Sequence, residues 1–156
     1  MTALRAVGAT DLAEINALVV EAITTWPIAA ALRERIAPSY CYDAIDLEHM
    51  RLFVRGDAFE AMIALEAADA ADAPVLPAIL LHGIYVRSGA QGRGLGRELV
   101  HAALTMTRDE GAAGLLAKAQ RNASGFFAAL GFEQLAVEDP IRDYPHRWWK
   151  TVQRVA

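Results

Sequence analysis

A single cysteine, Cys41, stands in the 156-residue chain, which excludes an internal disulfide framework and a cysteine-rich zinc site. Net positive charge is also missing. The formal charge is -4 and the pI about 5.5, so a broad electrostatic grip on nucleic acid is excluded as the main activity. No apolar run reaches membrane-spanning length, because Asp, Glu, Arg or Gly interrupts each stretch. The opening Met1-Thr2-Ala3-Leu4-Arg5 lacks the basic-then-apolar pattern of a secretion signal. Internal repeats are absent, as are low-complexity tracts beyond a general alanine richness. These absences predict a soluble, cytoplasmic protein without membrane or nucleic-acid partners. What is present is apolar: 54% of residues are hydrophobic and mean hydropathy is +0.21, enough to offset ordering entropy. The length fits one domain, residues 1–156.

Leu4 to Val7 can form a short first strand. Thr10 or Asp11 then caps a helix whose Leu12, Ile15, Leu18, Val19, Ala22 and Ile23 recur at helical spacing. Pro27 and Pro38 bracket a second helix over 28–36. A loop with Tyr40 and Tyr42 follows, and 46–54 reads as helical up to Gly56-Asp57. Strand patterning is predicted over 59–65 and, most clearly, over 77–86, where Ile79, Leu80, Leu81, Ile84 and Val86 suggest burial on both sheet faces. A glycine-rich loop leads into a helix over 95–107. Beyond it lie a strand over 113–119, a short helix over 123–130 closed by Gly131, a strand over 132–137 and a last strand over 147–152. Helices and strands alternate in the second half, so the fold class is α/β with a layered sheet.

The informative segment runs from Ile84 to Val100. An apolar strand enters a loop carrying Gly89, Gly92, Gly94 and Gly96, which opens directly into an amphipathic helix. Glycines there let backbone amides converge on one point, and the helix N-terminus adds partial positive charge, so the loop is a candidate phosphate cradle. A dinucleotide fingerprint would need glycine at position 97, which is Arg97, and an acid at the end of a second parallel strand. A Walker loop would need Gly-Lys-Ser/Thr where Gly96-Arg97-Glu98 stand. Both nucleotide readings fail on spacing.

With Val86 ending the strand and Gln91, Gly94 and Gly96 in the loop, the segment resembles motif A of the GNAT superfamily of acyl-CoA-dependent N-acyltransferases. Gln120-Arg121-Asn122-Ala123-Ser124-Gly125-Phe126-Phe127-Ala128-Ala129-Leu130-Gly131-Phe132 is similar to that family's motif B. The resemblance implies a mixed central sheet splayed where two parallel strands separate, with helices on both faces and acetyl-CoA in the wedge as acyl donor, and no metal. It implies that the backbone of Ile84, Tyr85 and Val86 pairs with the pantetheine arm. Gln91, Gly92, Arg93, Gly94, Leu95 and Gly96 would meet the pyrophosphate, with Arg87, Arg93 and Arg97 steering phosphates. Gln120 and Phe127 would add cofactor contacts, and a homodimer is compatible with the resemblance.

Acetyl transfer to an amine requires a deprotonated amine, a polarised thioester carbonyl and a protonated leaving thiolate. The motif B tyrosine of the family is Phe127 here, which cannot donate a proton. Tyr144 and His146, before the last strand, are alternative proton donors or else packing residues. The donor strand carries no Asp or Glu, so His82 and Tyr85 are its candidate bases; preceded by leucines, His82 reads first as a core histidine. Glu60 and Glu66 could act through water. Trp26, Tyr42 and Tyr85, with Tyr40 and Asp43, suit an amine acceptor, small or peptidic, and also suit ordinary packing. Trp148 and Trp149 alternate on a strand, so one should face in and the other out. Cys41 reads as a spare thiol. The sequence therefore predicts direct acetyl transfer to an amine. The competing readings are an acyl-CoA-binding domain without catalysis, and an enzyme using a longer acyl donor or a hydroxyl acceptor.

Overall fold

The computed structural model describes residues 4–152. Seven strands form one mixed sheet in the order β1-β2-β3-β4-β5-β7-β6. By backbone proximity the chain divides into two compact units, Met1–Ala64 with Gly83–Leu99, and Leu65–His82 with Val100–Ala156.

In the first unit, β1 (Leu4–Ala6) pairs antiparallel with β2 (Met50–Arg55), Leu4 opposite Arg55 and Ala6 opposite Phe53. Helix α1 (Leu12–Ile23) buries Ile15, Leu18, Val19, Ala22 and Ile23 to 4% exposure or less, as its helical spacing predicts. Truncating such a residue, Ile15 for instance, would cost about 2–5 kcal/mol. Asp11 is the N-cap residue of α1, and its carboxylate accepts the Gly8 amide at 3.1 Å. Helix α2 (Ala30–Tyr40) runs past its predicted end and contains Pro38. In the last turn a proline forfeits one amide bond without breaking the helix.

The predicted helix over 46–54 is a strand for most of its length. A short 3-10 turn, Asp46–Glu48, precedes β2. Leu47, Met50 and Val54 fit helical spacing, but Met50, Leu52 and Val54 are buried at every second position against the core, and the edge pairing with β1 settles the period. The strand predicted over 59–65 starts later, as β3 (Ala61–Ala67), because Phe59 lies in the connecting turn at φ 51°. β4 (Ala78–Val86) matches its prediction, yet only Ala78, Leu81 and Tyr85 are fully buried. His82 is exposed, which overturns the reading of a core histidine. Helix α3 (Leu95–Asp109) follows the glycine loop.

In the second unit, Ala78 to Leu81 of β4 run parallel to Gly114 to Ala117 of β5 (Gly114–Lys118). β7 (Arg147–Thr151) lies antiparallel on β5 and also pairs with β6 (Glu133–Gln134), which is much shorter than the predicted 132–137. Trp148 and Trp149 point to opposite sides of β7, yet both are buried, at 7% and 6% exposure. The expectation of one outward tryptophan fails because β7 is an interior strand covered on both faces. Gly114 makes room for one of them: a Cβ there would collide with the Trp149 ring and lie 2.6 Å from the Lys150 carbonyl. Helix α4 (Ser124–Ala129) ends at Gly131, φ 84°, and the Lys150 ammonium donates to the Leu130 carbonyl at its C-terminus, 2.8 Å away.

Candidate active site

The glycine loop of the first unit is built by opposed charges and two left-handed glycines. Gly92 and Gly94 have φ of 79° and 77°, a region in which a side chain costs about 1–2 kcal/mol. Among the described residues, apart from each glycine and its chain neighbours, no atom lies within 4 Å of a Cβ built at Gly89, Gly92 or Gly94. Gly92 and Gly94 are therefore required by backbone conformation rather than by crowding, and the space where their side chains would stand is open. The Glu98 amide makes the first helical bond, to the Gly94 carbonyl at 3.0 Å. The amides of Leu95, Gly96 and Arg97 precede it and have no acceptor within the helix, so they stand ready for an anion.

Side chains lock the loop to its surroundings. The Arg87 guanidinium bonds the Glu21 carboxylate of α1 at 2.6 Å and the Phe59 carbonyl at 2.8 Å. The Ser88 hydroxyl donates to the same carboxylate at 2.9 Å. The bonds from Ser88 and Arg87 hold the Glu21 carboxyl below its ordinary range. The Gln91 amide donates to the Val86 carbonyl at 3.2 Å and to the Thr25 hydroxyl at 3.1 Å. Arg55 lies between Glu60 at 2.7 Å and Glu98 at 3.1 Å, and Arg93 reaches Glu60 at 3.6 Å. Glu60, a sequence candidate for water-mediated base chemistry, is thus held in ion pairs. Arg87 is committed to Glu21, whereas Arg93 and Arg97 are exposed.

The predicted acceptor-side aromatics belong to this unit and share its core. Trp26 and Tyr40 meet edge to face, centroids 5.2 Å apart. Tyr42 and Tyr85 are buried and hydrogen-bonded to one another. Burial pushes the Tyr85 phenol well above its ordinary range, so it stays protonated and is no base at neutral pH. Burial likewise raises the Cys41 thiol, which suits an inert residue. Asp43 exchanges bonds with Asp46, each backbone amide donating to the other's carboxylate at 2.9 Å, which caps the turn before β2.

The remaining predicted residues lie in the second unit. Gln120 is exposed and precedes the turn leading to α4. Phe127 is a buried packing residue between Phe126 and Phe132, centroids 5.1 and 5.3 Å away. Tyr144 donates its hydroxyl to the Ala119 carbonyl at 2.8 Å and meets the His146 ring edge to face. Its neighbour Asp143 is held at about 2 by the Asp139 amide, the Arg142 guanidinium and the Glu138 amide. A cavity of about 210 Å³ in this unit is lined by Asp72, Leu135, Asp143 and Arg147. Arg147 stitches its walls, donating to the Asp72 and Ala136 carbonyls.

Sequence reasoning missed Glu21, Thr25 and Arg55, which hold the loop, and Asn16, which holds Tyr42. Glu21 lies 66 residues from Arg87, and a lone acid on a helix carries no local sign of a distant partner. Among the described residues, no group of three or more His, Cys, Asp or Glu could hold a metal ion, and no helix is long and apolar enough to cross a membrane.

No curated protein matches the chain in sequence. Solved structures match its fold at low identity. The PaiA N-acetyltransferase of Thermoplasma acidophilum, in complex with coenzyme A, superposes with a TM-score of 0.74 at 13% identity, covering 97% of this chain and 99% of that one. A GNAT family acetyltransferase of Brucella melitensis, in complex with acetyl-CoA, gives 0.59 at 18% identity over 85% and 83%. The ribosomal-protein-S18-alanine N-acetyltransferase of Escherichia coli gives 0.64 at 16% identity over 100% and 97%. Residues 19–143, from the middle of α1 to the loop before β7, match the family described as acetyltransferase (GNAT) domain, and the chain belongs to that family.

Proposed function

We propose that the protein transfers the acetyl group of acetyl-CoA directly to an amine, with no covalent enzyme intermediate. The observation that carries this reading is the loop: two left-handed glycines with open space where side chains would stand, directly before the first amides of α3. This reading puts the pyrophosphate in that space, with the exposed Arg93 and Arg97 as its cations. Arg93 gives up an exposed 3.6 Å pairing with Glu60 and a long 3.5 Å bond to the Ala90 carbonyl to do so, a small loss. The arm then runs back along the backbone of Ile84, Tyr85 and Val86.

Acetyl-CoA supplies an activated thioester. The attacking amine forms the new C–N bond as the C–S bond breaks, and proximity provides much of the acceleration. A thiol with an ordinary pKa near 8.5 leaves without much help, which suits a site whose motif B position is Phe127. Tyr144 and His82 are the proton-handling candidates of this reading. The Tyr144 proton is engaged at the Ala119 carbonyl, so its use as an acid requires that bond to open. On the acceptor side, Tyr42 and Tyr85 are buried and Trp26 retains exposed surface. A net charge of -4 favours a cationic amine, small or peptidic.

The buried Phe127 favours a second reading, a domain that binds acyl-CoA without turnover. Calorimetric titration with acetyl-CoA, with NAD as control, tests the donor; saturable binding of the first alone is expected. Release of free CoA across a panel of amines then separates enzyme from binding domain.

A further inference from the structure

Gly83 has no side chain, and the place where one would stand is already filled. A Cβ there would collide with the Tyr42 hydroxyl and lie 2.8 Å from Tyr85 Cε2. Gly83 and Tyr85 share one face of β4, being two residues apart, and Tyr42 packs its phenol into the notch between strand and ring. Both phenols are buried, at 4% and 7% exposure.

Tyr42 is fixed from its own backbone. The Asn16 amide of α1 donates Nδ2 to the Tyr42 carbonyl at 2.8 Å, and its Oδ1 accepts the Tyr42 amide at 2.8 Å. At its other end the Tyr42 hydroxyl bonds to Tyr85. Moving this phenol therefore breaks a hydrogen bond in a buried, close-packed site.

The next step rests on the reading of β4 as the donor strand. Phosphates at the loop beyond Val86 and an arm running back along 86–84 bring the thioester to the Gly83 end, with the acyl group directed at the filled notch. We propose that Tyr42, positioned by Asn16, sets the length of the acyl group: acetyl is accommodated, and a butanoyl or longer chain is excluded because it would have to displace the phenol.

Binding tests this without knowledge of the acceptor. Full-length protein is titrated calorimetrically with acetyl-CoA, butanoyl-CoA and free CoA, as wild type, Tyr42→Ala and Asn16→Ala. The wild type should prefer acetyl-CoA to butanoyl-CoA by about tenfold or more. Tyr42→Ala should erase or invert that preference while binding free CoA as before. Asn16→Ala keeps the phenol but frees it, and should give an intermediate ratio, a readout that general loosening of the fold would not move. Equal binding of both acyl-CoAs by wild type, or an unchanged ratio in Tyr42→Ala, overturns the proposal. Should Tyr42→Ala fail to fold by circular dichroism, Tyr42→Leu replaces it, with the same expectation and the same overturning result. Failure of wild type to bind any of the three CoA species instead overturns the donor-strand reading beneath it.

Discussion

Arg87 at the end of β4 and Glu21 in the second half of α1 meet at 2.6 Å, and Ser88 joins the same carboxylate at 2.9 Å. This one carboxylate anchors the entrance of the glycine loop, so the loop's geometry depends on a helix more than sixty residues upstream.

The anchor is pH-dependent. The Glu21 carboxyl is held below its ordinary value of 4.5, so its stabilising contribution is complete above that value and is lost as pH falls through the lower folded value. Because the pair is about one-third exposed, the contribution is modest, about 0.5 kcal/mol. Glu21→Gln should lower the melting midpoint slightly at pH 7 and converge with wild type as the pH falls below the depressed folded value; thermal melts from neutral into acid check it.

Gly94→Asp should abolish acetyl-CoA binding while the fold is retained. The substitution puts a carboxylate into the open space before the helix amides and strains a residue at φ 77°. Gly94→Ala carries the strain without the charge, costing about 1–2 kcal/mol, and should weaken binding less. Calorimetry on both variants separates the electrostatic effect from the conformational one.

Gly114→Ala acts on the other unit. Its methyl would meet the Trp149 ring and the Lys150 backbone carbonyl at 2.6 Å, and a backbone atom in a paired strand cannot step aside. A destabilisation of about 1–3 kcal/mol follows. Chemical denaturation should show it as a lower midpoint with an unchanged slope.

Tyr144→Phe removes the bond to the Ala119 carbonyl, worth about 1 kcal/mol of stability. As a proton donor, Tyr144 should in addition lose turnover well beyond any change in acetyl-CoA affinity. Equal kcat in the variant with only a lower Tm would assign Tyr144 to packing.

The amino-acid order by itself determined the elements with strong periodicity and the glycine loop before α3. Helix α1 and strand β4 follow from apolar spacing, and the loop follows from glycines placed between a strand and an amphipathic helix, because these signals are local. The resemblance to motif B likewise implied that Phe127 stands where that family often has a tyrosine. Tertiary structure alone decided the rest. Residues 46–54 satisfied a helical period until the partner strand β1 imposed a period of two, and Trp149 became interior only when a layer covered its face. His82, between leucines, looked like core and is exposed. Arg87, read as a phosphate ligand, is neutralised by Glu21, and Tyr42, read as an acceptor contact, fills the notch at Gly83. Each of these depends on a partner distant in the chain, and which distant side chains meet is settled by packing and register, which no local pattern encodes.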